Sequence, residues 1–163
     1  MNYAEIKYCD VANGPGVRTS LFVSGCSHHC PGCFNEIAWD FNYGKPFTQD
    51  TIDSIIESLK PDYIQGLTLL GGEPFEYSNQ KGLLPLVRQV REVLPQKDII
   101  ENMCKKWKET NELLSYIDVL VDGRFVEELK NLNLKFKGSE NQRTILVNES
   151  LKSGNVILYD FDK

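Results

Sequence analysis

The chain lacks the features of a membrane-bound, secreted or nucleic-acid-binding protein. No apolar run approaches the roughly 20 residues that span a bilayer, and the first residues, MNYAEIKYCDVANGPG, have neither the basic nor the apolar region of a secretory signal. Positive charge is not in excess either, since 18 Lys and Arg stand against 23 Asp and Glu. We therefore expect a cytoplasmic protein that binds neither a membrane nor a nucleic acid.

The sequence also lacks internal repeats, low-complexity tracts and linkers. Its 163 residues, 41% hydrophobic and 25% charged, have the composition of an ordinary globular protein. A chain of this size buries about 68–70% of its unfolded surface, which is enough for a core. We expect a single domain over residues 1–163.

Cysteines are where the sequence departs from the ordinary. Of its five cysteines, Cys26, Cys30 and Cys33 crowd into one loop, SGCSHHCPGCFNE, in a C-x3-C-x2-C spacing. An odd number of cysteines spaced so closely does not suit a secreted disulfide framework, so reduced thiols that bind a ligand are the better interpretation. Three thiolates in one tight loop can cap one face of a compact metal centre.

The fourth ligand of that centre is missing locally. Structural zinc and four-cysteine iron–sulfur clusters both take four protein ligands. His28, His29, Cys9 or Cys104 could complete such a set, or one iron could be left open for a substrate or cofactor. We expect the two histidines to be solvent-facing spacers, Cys9 to be a partly buried thiol and Cys104 to be a surface thiol or one at the start of a helix.

Strand and helix patterns alternate along the chain. The strand patterns cover Arg18–Ser24, GLTLLGGEP, Asp98–Asn102, Ile117–Asp122, Thr144–Val147 and Val156–Tyr159, and the helix patterns cover Thr48–Leu59, Leu83–Leu94, Lys105–Ser115 and Phe125–Leu132. This alternation predicts an α/β fold with a mostly parallel sheet. Ligands bind at the carboxyl ends of such strands, so the cysteine loop, the GGEP turn and the residues after VLVD should meet at one edge.

Several motifs carry a resemblance to a known family. GCSHHCPGC resembles the cysteine signature of the radical S-adenosylmethionine enzymes, and GGEP at 71–74 resembles their second motif. NGPGVRTSLFVSGC, CPGCFN, GLTLLGGEPF, YIDVLVDGRF and GSENQR together resemble the anaerobic ribonucleotide reductase-activating family. These segments run from residue 13 to residue 143, so the similarity covers most of the chain.

The resemblance implies a fold, a chemistry and a protein substrate. The fold would be a partial, open (βα) barrel of the radical S-adenosylmethionine type. Cys26, Cys30 and Cys33 would bind one [4Fe-4S] cluster and act in catalysis through it, and S-adenosylmethionine would occupy the open iron. Reductive cleavage would give a 5′-deoxyadenosyl radical, which takes a hydrogen from a glycine of the large anaerobic reductase subunit. The chain would thus be a glycyl-radical-enzyme activase, an oxidoreductase.

The same resemblance assigns the contacts to S-adenosylmethionine. Gly72 and Glu73 would hold the methionine moiety, because glycines let the backbone approach a ligand and a carboxylate suits a cationic amino group. Gly32, Cys33 and Phe34 would lie near the adenine, with Phe34 as the apolar surface. The implied protein partners are the reductase subunit and an electron donor such as flavodoxin, in a homodimer or heterotetramer.

Two alternative functions remain open, and the sequence differs from the family pattern in one segment. The alternatives are a radical enzyme that acts on a small molecule and a zinc-binding interaction module. After PQKD, the family has a W-x-W-T-G-Y pattern, whereas this chain has IIENMCKKWKET and so lacks the Thr-Gly-aromatic end. Asp122 and residues Asn141, Gln142 and Arg143 receive no assigned role.

Overall fold

The described residues form one seven-stranded sheet. The computed structural model describes residues 1–103 and 111–161, with only the backbone of 101–103. The strands are β1 (Asn2–Asp10), β2 (Val17–Val23), β3 (Lys45–Pro46), β4 (Ile64–Gly71), β5 (Asp98–Met103), β6 (Val119–Asp122) and β7 (Arg143–Leu146). Their order is β3-β1-β2-β4-β5-β6-β7, and the four central strands from β2 to β6 are parallel while the outer pairings are antiparallel.

Four α-helices accompany this sheet in the part of the chain that the structure describes. They are α1 (Gln49–Leu59), α2 (Tyr77–Val93), α3 (Asn111–Leu114) and α4 (Val147–Ser153), with 3₁₀ turns at Glu36–Trp39 and Glu127–Leu129. Helix α1 begins after Thr48, whose N–H donates to the Thr51 hydroxyl at 3.3 Å. Its apolar residues recur at helical spacing and are buried, as the sequence predicts.

The two faces of the parallel strands have different surroundings. Successive side chains of a strand point to opposite faces. Leu21, Leu69 and Ile99 belong to the buried core together with residues of α1 and α2 such as Ile55 and Leu86. Phe22, Leu70, Ile100 and Val121, one residue from each parallel strand, instead line a cavity. The helices therefore cover one face of the sheet, and the other face forms the wall of a cavity.

Over the described residues the sheet is open, with β3 and β7 at its edges. Beyond β7, a single bridge joins Ile145 to Leu158, flanked by the hydrogen bonds from the Leu146 N–H to the Ile157 carbonyl (2.9 Å) and from the Tyr159 N–H to the Thr144 carbonyl (2.8 Å). The predicted α/β fold with a mostly parallel sheet is confirmed. The strand predicted at Val156–Tyr159 is reduced to this one bridge.

Two predicted helices were wrong in extent. The helix predicted at Leu83–Leu94 begins at Tyr77, because Asn79 and Gln80 bury their amides against backbone carbonyls and so extend the helix through a polar stretch. The segment Phe125–Leu132 contains only a three-residue 3₁₀ turn. Its backbone pairs with residues 138–140 instead, through a bridge between Lys130 and Ser139 and a 2.9 Å hydrogen bond from the Glu140 N–H to the Leu129 carbonyl.

Other predicted elements hold with shifted ends. The strand at Arg18–Ser24 is Val17–Val23, the strand at Ile117–Asp122 begins at Val119, and the strand at Thr144–Val147 is Arg143–Leu146. Of the helix predicted at Lys105–Ser115, Asn111–Leu114 is observed, and residues 104–110 lie outside the described residues. No helix within residues 1–103 or 111–161 is both long enough and apolar enough to span a membrane.

Candidate functional site

One cavity brings the cysteine loop and the glycine turn together. It has a volume of about 470 Å³, within the range of roughly 300–1,000 Å³ that small-ligand pockets occupy. Cys26, Cys30 and Cys33 line it, as do Gly71 and Gly72. The cysteine loop follows β2 and the glycines end β4, so the site lies at the carboxyl ends of two adjacent parallel strands, as the sequence predicts.

The cysteine loop is held by backbone hydrogen bonds. Cys26 and Cys30 are buried and Cys33 is partly exposed. The Cys26 N–H donates to the Trp39 carbonyl at 3.2 Å, and the Cys33 N–H donates to the Cys30 carbonyl at 3.2 Å. Burial raises the pKa of the Cys26 thiol to about 11. A metal centre that binds Cys26 must therefore displace a proton from it near neutral pH.

The other cysteines are not part of this loop. Cys9 is exposed at the end of β1, so the prediction of a partly buried thiol was wrong. Cys104 lies outside the described residues. Within residues 1–103 and 111–161, no three Cys, His, Asp or Glu side chains are arranged to hold a single metal ion.

Close backbone contacts tie the GGEP turn to the start of the cysteine loop. The Gly72 N–H donates to the Val23 carbonyl and the Glu73 N–H to the Gly25 carbonyl, both at 2.8 Å. A Cβ on Gly72 would lie 2.5 Å from the Gly25 carbonyl oxygen. Gly71 adopts a φ of +109°, which side chains of L-residues rarely allow. The two glycines are therefore required by the backbone itself, before any ligand is considered.

Glu73 is buried behind His28, which lines the cavity. Its side chain is 1% exposed, and one carboxylate oxygen accepts a 2.9 Å hydrogen bond from the Phe75 N–H. The other oxygen lies 3.2 Å from Nε2 of His28, whose side chain is 8% exposed and lines the cavity. The prediction that His28 is a solvent-facing spacer was wrong, because its ring packs against this carboxylate. His29 is exposed and stacks on Trp39, with 4.6 Å between ring centroids.

The predicted adenine-binding residues separate into two groups. Phe34 lines the cavity and is 64% exposed, with its ring 5.3 Å from that of Phe125 and the Lys130 ammonium 4.6 Å from its centroid. Gly32 has a φ of +66° and faces Glu127, whose carboxyl carbon would lie 2.5 Å from a Cβ. Phe34 is thus available to a ligand, whereas Gly32 serves a tight turn.

The start of α2 holds the two loops against each other, which the sequence did not reveal. The buried amide of Asn79 donates to the Ser24 carbonyl at 3.0 Å and to the Glu73 carbonyl at 2.9 Å. The Glu76 carboxylate accepts a 2.9 Å hydrogen bond from the Ser27 N–H. These side chains contact carbonyl and amide groups of distant loops, so no local pattern marks them.

A buried arginine fixes the loop before β2. Arg18 is fully buried, pairs with Asp98, and donates through Nε to the Thr68 hydroxyl at 2.7 Å. The Thr68 hydroxyl in turn donates to the Asn13 carbonyl at 2.9 Å. Asn13 lines the cavity. The NGPGVR motif therefore shapes one wall of the site by means of a buried charge network.

Similarity to known proteins defines the class to which this site belongs. A family model described as a 4Fe-4S single cluster domain matches residues 12–145. That range includes the cysteine loop, the GGEP turn and the four parallel strands. The site is thus of the single-cluster iron–sulfur class.

Curated relatives narrow this class. Proteins named anaerobic ribonucleoside-triphosphate reductase-activating protein are 44% identical over 148 residues in Escherichia coli K12 and 43% identical over 148 residues in Vibrio cholerae, each match covering 87% of this chain and 96% of the relative. The protein of that name from Enterobacteria phage T4 is 41% identical over 145 residues, covering 88% of this chain and 92% of its own. The chain belongs to the family of anaerobic ribonucleoside-triphosphate reductase-activating proteins.

Proposed function

We propose that this chain activates an anaerobic ribonucleotide reductase as a radical S-adenosylmethionine enzyme, with a [4Fe-4S] cluster bound to Cys26, Cys30 and Cys33. The observation that carries the proposal is that these three cysteines and Gly72 line one cavity at the carboxyl ends of β2 and β4. The matching 4Fe-4S family and the names of the relatives support it.

The donors around the cavity fit the proposed cofactors. Each thiolate of a four-iron cluster binds a different iron, so the three thiols need not converge on one point. Beside them, the His28 ring lines the cavity, with its Nε2 atom 3.2 Å from the Glu73 carboxylate. His28 thus gives a largely apolar cavity one polar group, which suits a ligand with polar atoms. The apolar side chains from the four strands would exclude water from the rest of the volume.

When bound to Cys26, Cys30 and Cys33, a reduced cluster would supply the one electron for cleavage of S-adenosylmethionine to methionine and a 5′-deoxyadenosyl radical, which would take a hydrogen atom from a glycine of the reductase. The residues of the protein would bind S-adenosylmethionine and orient it in the cavity. Gly72 offers a backbone without a Cβ beside the methionine moiety, and the Glu73 carboxylate places negative charge next to the His28 ring, which favours a cationic ligand. Gly32, Cys33 and Phe34 would lie on the adenine side: Phe34 provides an exposed aromatic face, Cys33 lines the cavity, and Gly32 allows the tight turn before them.

The open sheet supports two finer parts of the proposal, the type of fold and the access of the reductase to the site. We infer that it is a partial barrel of the radical S-adenosylmethionine type, whose uncovered side admits a loop of the large reductase subunit. An electron donor such as flavodoxin, a homodimeric or heterotetrameric assembly and a cytoplasmic location complete the proposal.

Electron paramagnetic resonance (EPR) tests this function directly. The full chain is reconstituted anaerobically with iron and sulfide, reduced with dithionite and measured with and without S-adenosylmethionine. The expected result is a [4Fe-4S]⁺ signal that changes shape when S-adenosylmethionine is added, followed by a glycyl radical signal when the large reductase subunit is supplied. One zinc ion per chain and no cluster signal would instead identify the three cysteines as a structural zinc site. Cleavage of S-adenosylmethionine without a glycyl radical on the reductase would favour a small-molecule substrate.

A further inference from the structure

The loop after β6 contacts a cysteine of the site. Nε of Arg124 donates a hydrogen bond to Sγ of Cys30 at 3.4 Å, across 94 positions of sequence. Cys30 is 6% exposed, so its sulfur lies inside the protein. Arg124 itself is exposed over part of its length, and its Nε edge is the part turned toward the sulfur. A charged donor thus faces one of the three thiols from outside the cysteine loop.

Two neighbouring amides hold this loop in place. The Asn141 side chain donates to the Arg124 carbonyl at 2.8 Å, and the Gln142 side chain donates to the Gly123 carbonyl at 2.9 Å. Gln142 is itself oriented, because its amide oxygen accepts hydrogen bonds from the Gly138 N–H at 2.7 Å and from the Ser139 N–H at 3.1 Å. We call Asn141 and Gln142 the amide clamp. The clamp thus ties the GSENQR segment to the VDGRF segment.

We propose that Arg124, held by the amide clamp, is a positioning residue that donates a hydrogen bond to the Cys30 thiolate and raises the reduction potential of the iron–sulfur cluster. This inference rests on the proposed ligation of the cluster by Cys30. Reduction adds an electron to the cluster and its sulfur ligands, and a cationic donor stabilises the more negative state. Removing the donor therefore makes the cluster harder to reduce.

The size of the effect follows from the exposure of the guanidinium. A hydrogen bond to a charged group in a dry site is strong, but solvent on the other side of Arg124 screens its charge. We expect the equilibrium constant for one-electron reduction to fall about threefold to tenfold in Arg124→Gln, where tenfold corresponds to about 59 mV.

The test is an EPR-monitored redox titration of the reconstituted full chain. Arg124→Gln removes the charge, and Arg124→Lys keeps the charge but lacks the Nε–H edge that contacts the sulfur. The expected potentials are lowest for the glutamine variant, intermediate for the lysine variant and highest for the unsubstituted protein. Arg88→Gln is the matched control, because Arg88 lies on α2, pairs with Glu112 and is about half exposed. Its potential should equal that of the unsubstituted protein.

The clamp is tested by a double-mutant cycle. Asn141→Ala leaves Arg124 in the chain but releases its backbone, so it should lower the potential in the same direction. Adding Arg124→Gln to Asn141→Ala should then give a total shift smaller than the sum of the two single shifts. Additive shifts would overturn the clamp. If Arg124→Gln fails to bind the cluster, Asn141→Ala alone decides, and an unchanged potential there overturns the proposal.

The failures of the two proposals are distinguishable. An intact [4Fe-4S]⁺ signal with the same potential in Arg124→Gln as in the unsubstituted chain overturns the role of Arg124 alone. An equal shift in Arg88→Gln also overturns it, since the effect would then be one of net charge. An unsubstituted chain that gives no cluster signal overturns the proposed function and this inference with it.

Discussion

Replacing Gly72 by alanine tests how tightly the GGEP turn and the cysteine loop are packed together. The added Cβ would lie 2.5 Å from the Gly25 carbonyl oxygen and 3.0 Å from that of Ala38. Both contacts are with backbone rather than with the end of a flexible side chain. The substitution therefore forces a backbone shift at the point where the two loops meet.

The magnitude follows from what a backbone shift would disturb. Inserting a methyl group into a packed site costs about 1–3 kcal/mol. The Gly25 N–H donates to the Ala38 carbonyl at 2.8 Å, and the Gly25 carbonyl accepts from the Glu73 N–H at 2.8 Å, so moving Gly25 strains two hydrogen bonds as well. Each is worth roughly 1 kcal/mol. We expect Gly72→Ala to lower the free energy of unfolding by about 2–3 kcal/mol, and Tm by about 4–12 °C.

Urea denaturation of the cluster-free chain, followed by circular dichroism, measures this directly. Two further glycine substitutions serve as controls. The three atoms nearest to a Cβ on Gly82 in α2 would all belong to the flexible Met1 side chain, with its sulfur at 2.5 Å, so Gly82→Ala should be neutral or stabilising by up to about 1 kcal/mol. Gly154 has a φ of +70° with nothing within 4 Å of a Cβ, so Gly154→Ala isolates the cost of backbone strain, about 1 kcal/mol.

The ordering of the three variants is the decisive result. Gly72→Ala should be the least stable, Gly154→Ala intermediate and Gly82→Ala the most stable. If Gly72→Ala unfolds within about 0.5 kcal/mol of the unsubstituted chain, the neighbouring backbone yields easily. The reasoning that the two loops form one rigid unit would then be refuted.

Two further predictions concern the thiols. Cys30→Ala should abolish the absorption of the reconstituted cluster near about 400 nm, because it removes a proposed iron ligand, whereas Cys9→Ala, at an exposed position, should retain it; equal loss in both would contradict the ligand assignment. The pKa of Cys26 is raised from 9.0 to about 11 in the folded chain, so between pH 9 and 11 the unfolded chain loses this proton while the folded chain keeps it. The free energy of unfolding of the cluster-free protein should therefore fall over that interval more steeply than in Cys26→Ala, and parallel pH curves for the two would count against the burial of this thiol.

Local patterns predicted those parts of the fold that local forces determine. Helix α1 could be predicted from the sequence because its isoleucines recur at helical spacing after a capping threonine. Strand β1 was missed because it pairs at the antiparallel side of the sheet and most of its residues are partly or fully exposed, so it carries no apolar pattern. The start of α2 was missed for a related reason, since its buried residues there are the polar Asn79 and Gln80.

The candidate site likewise has features that the sequence predicts and features that it does not. The meeting of the cysteine loop with the GGEP turn follows from a general rule, because the carboxyl ends of parallel strands share one edge. Contacts between distant side chains follow from no such rule. Asn79 reaches Ser24 across 55 positions and Arg124 reaches Cys30 across 94. His28 was mistaken for a spacer because nothing in the sequence says that its ring packs on Glu73.

The alternation of the parallel strands links occupancy of the site to the stability of the fold. Leu21 and Leu69 face the helices and are 0% exposed, so their burial is complete in the protein alone. Their neighbours Phe22 and Leu70 line the cavity, where a ligand would make further apolar contacts with them. A ligand that binds there contributes contacts that the unfolded chain cannot make, and so stabilises the folded state by mass action. The period-two pattern that builds the core on one face therefore also couples ligand binding at the other face to the stability of the fold.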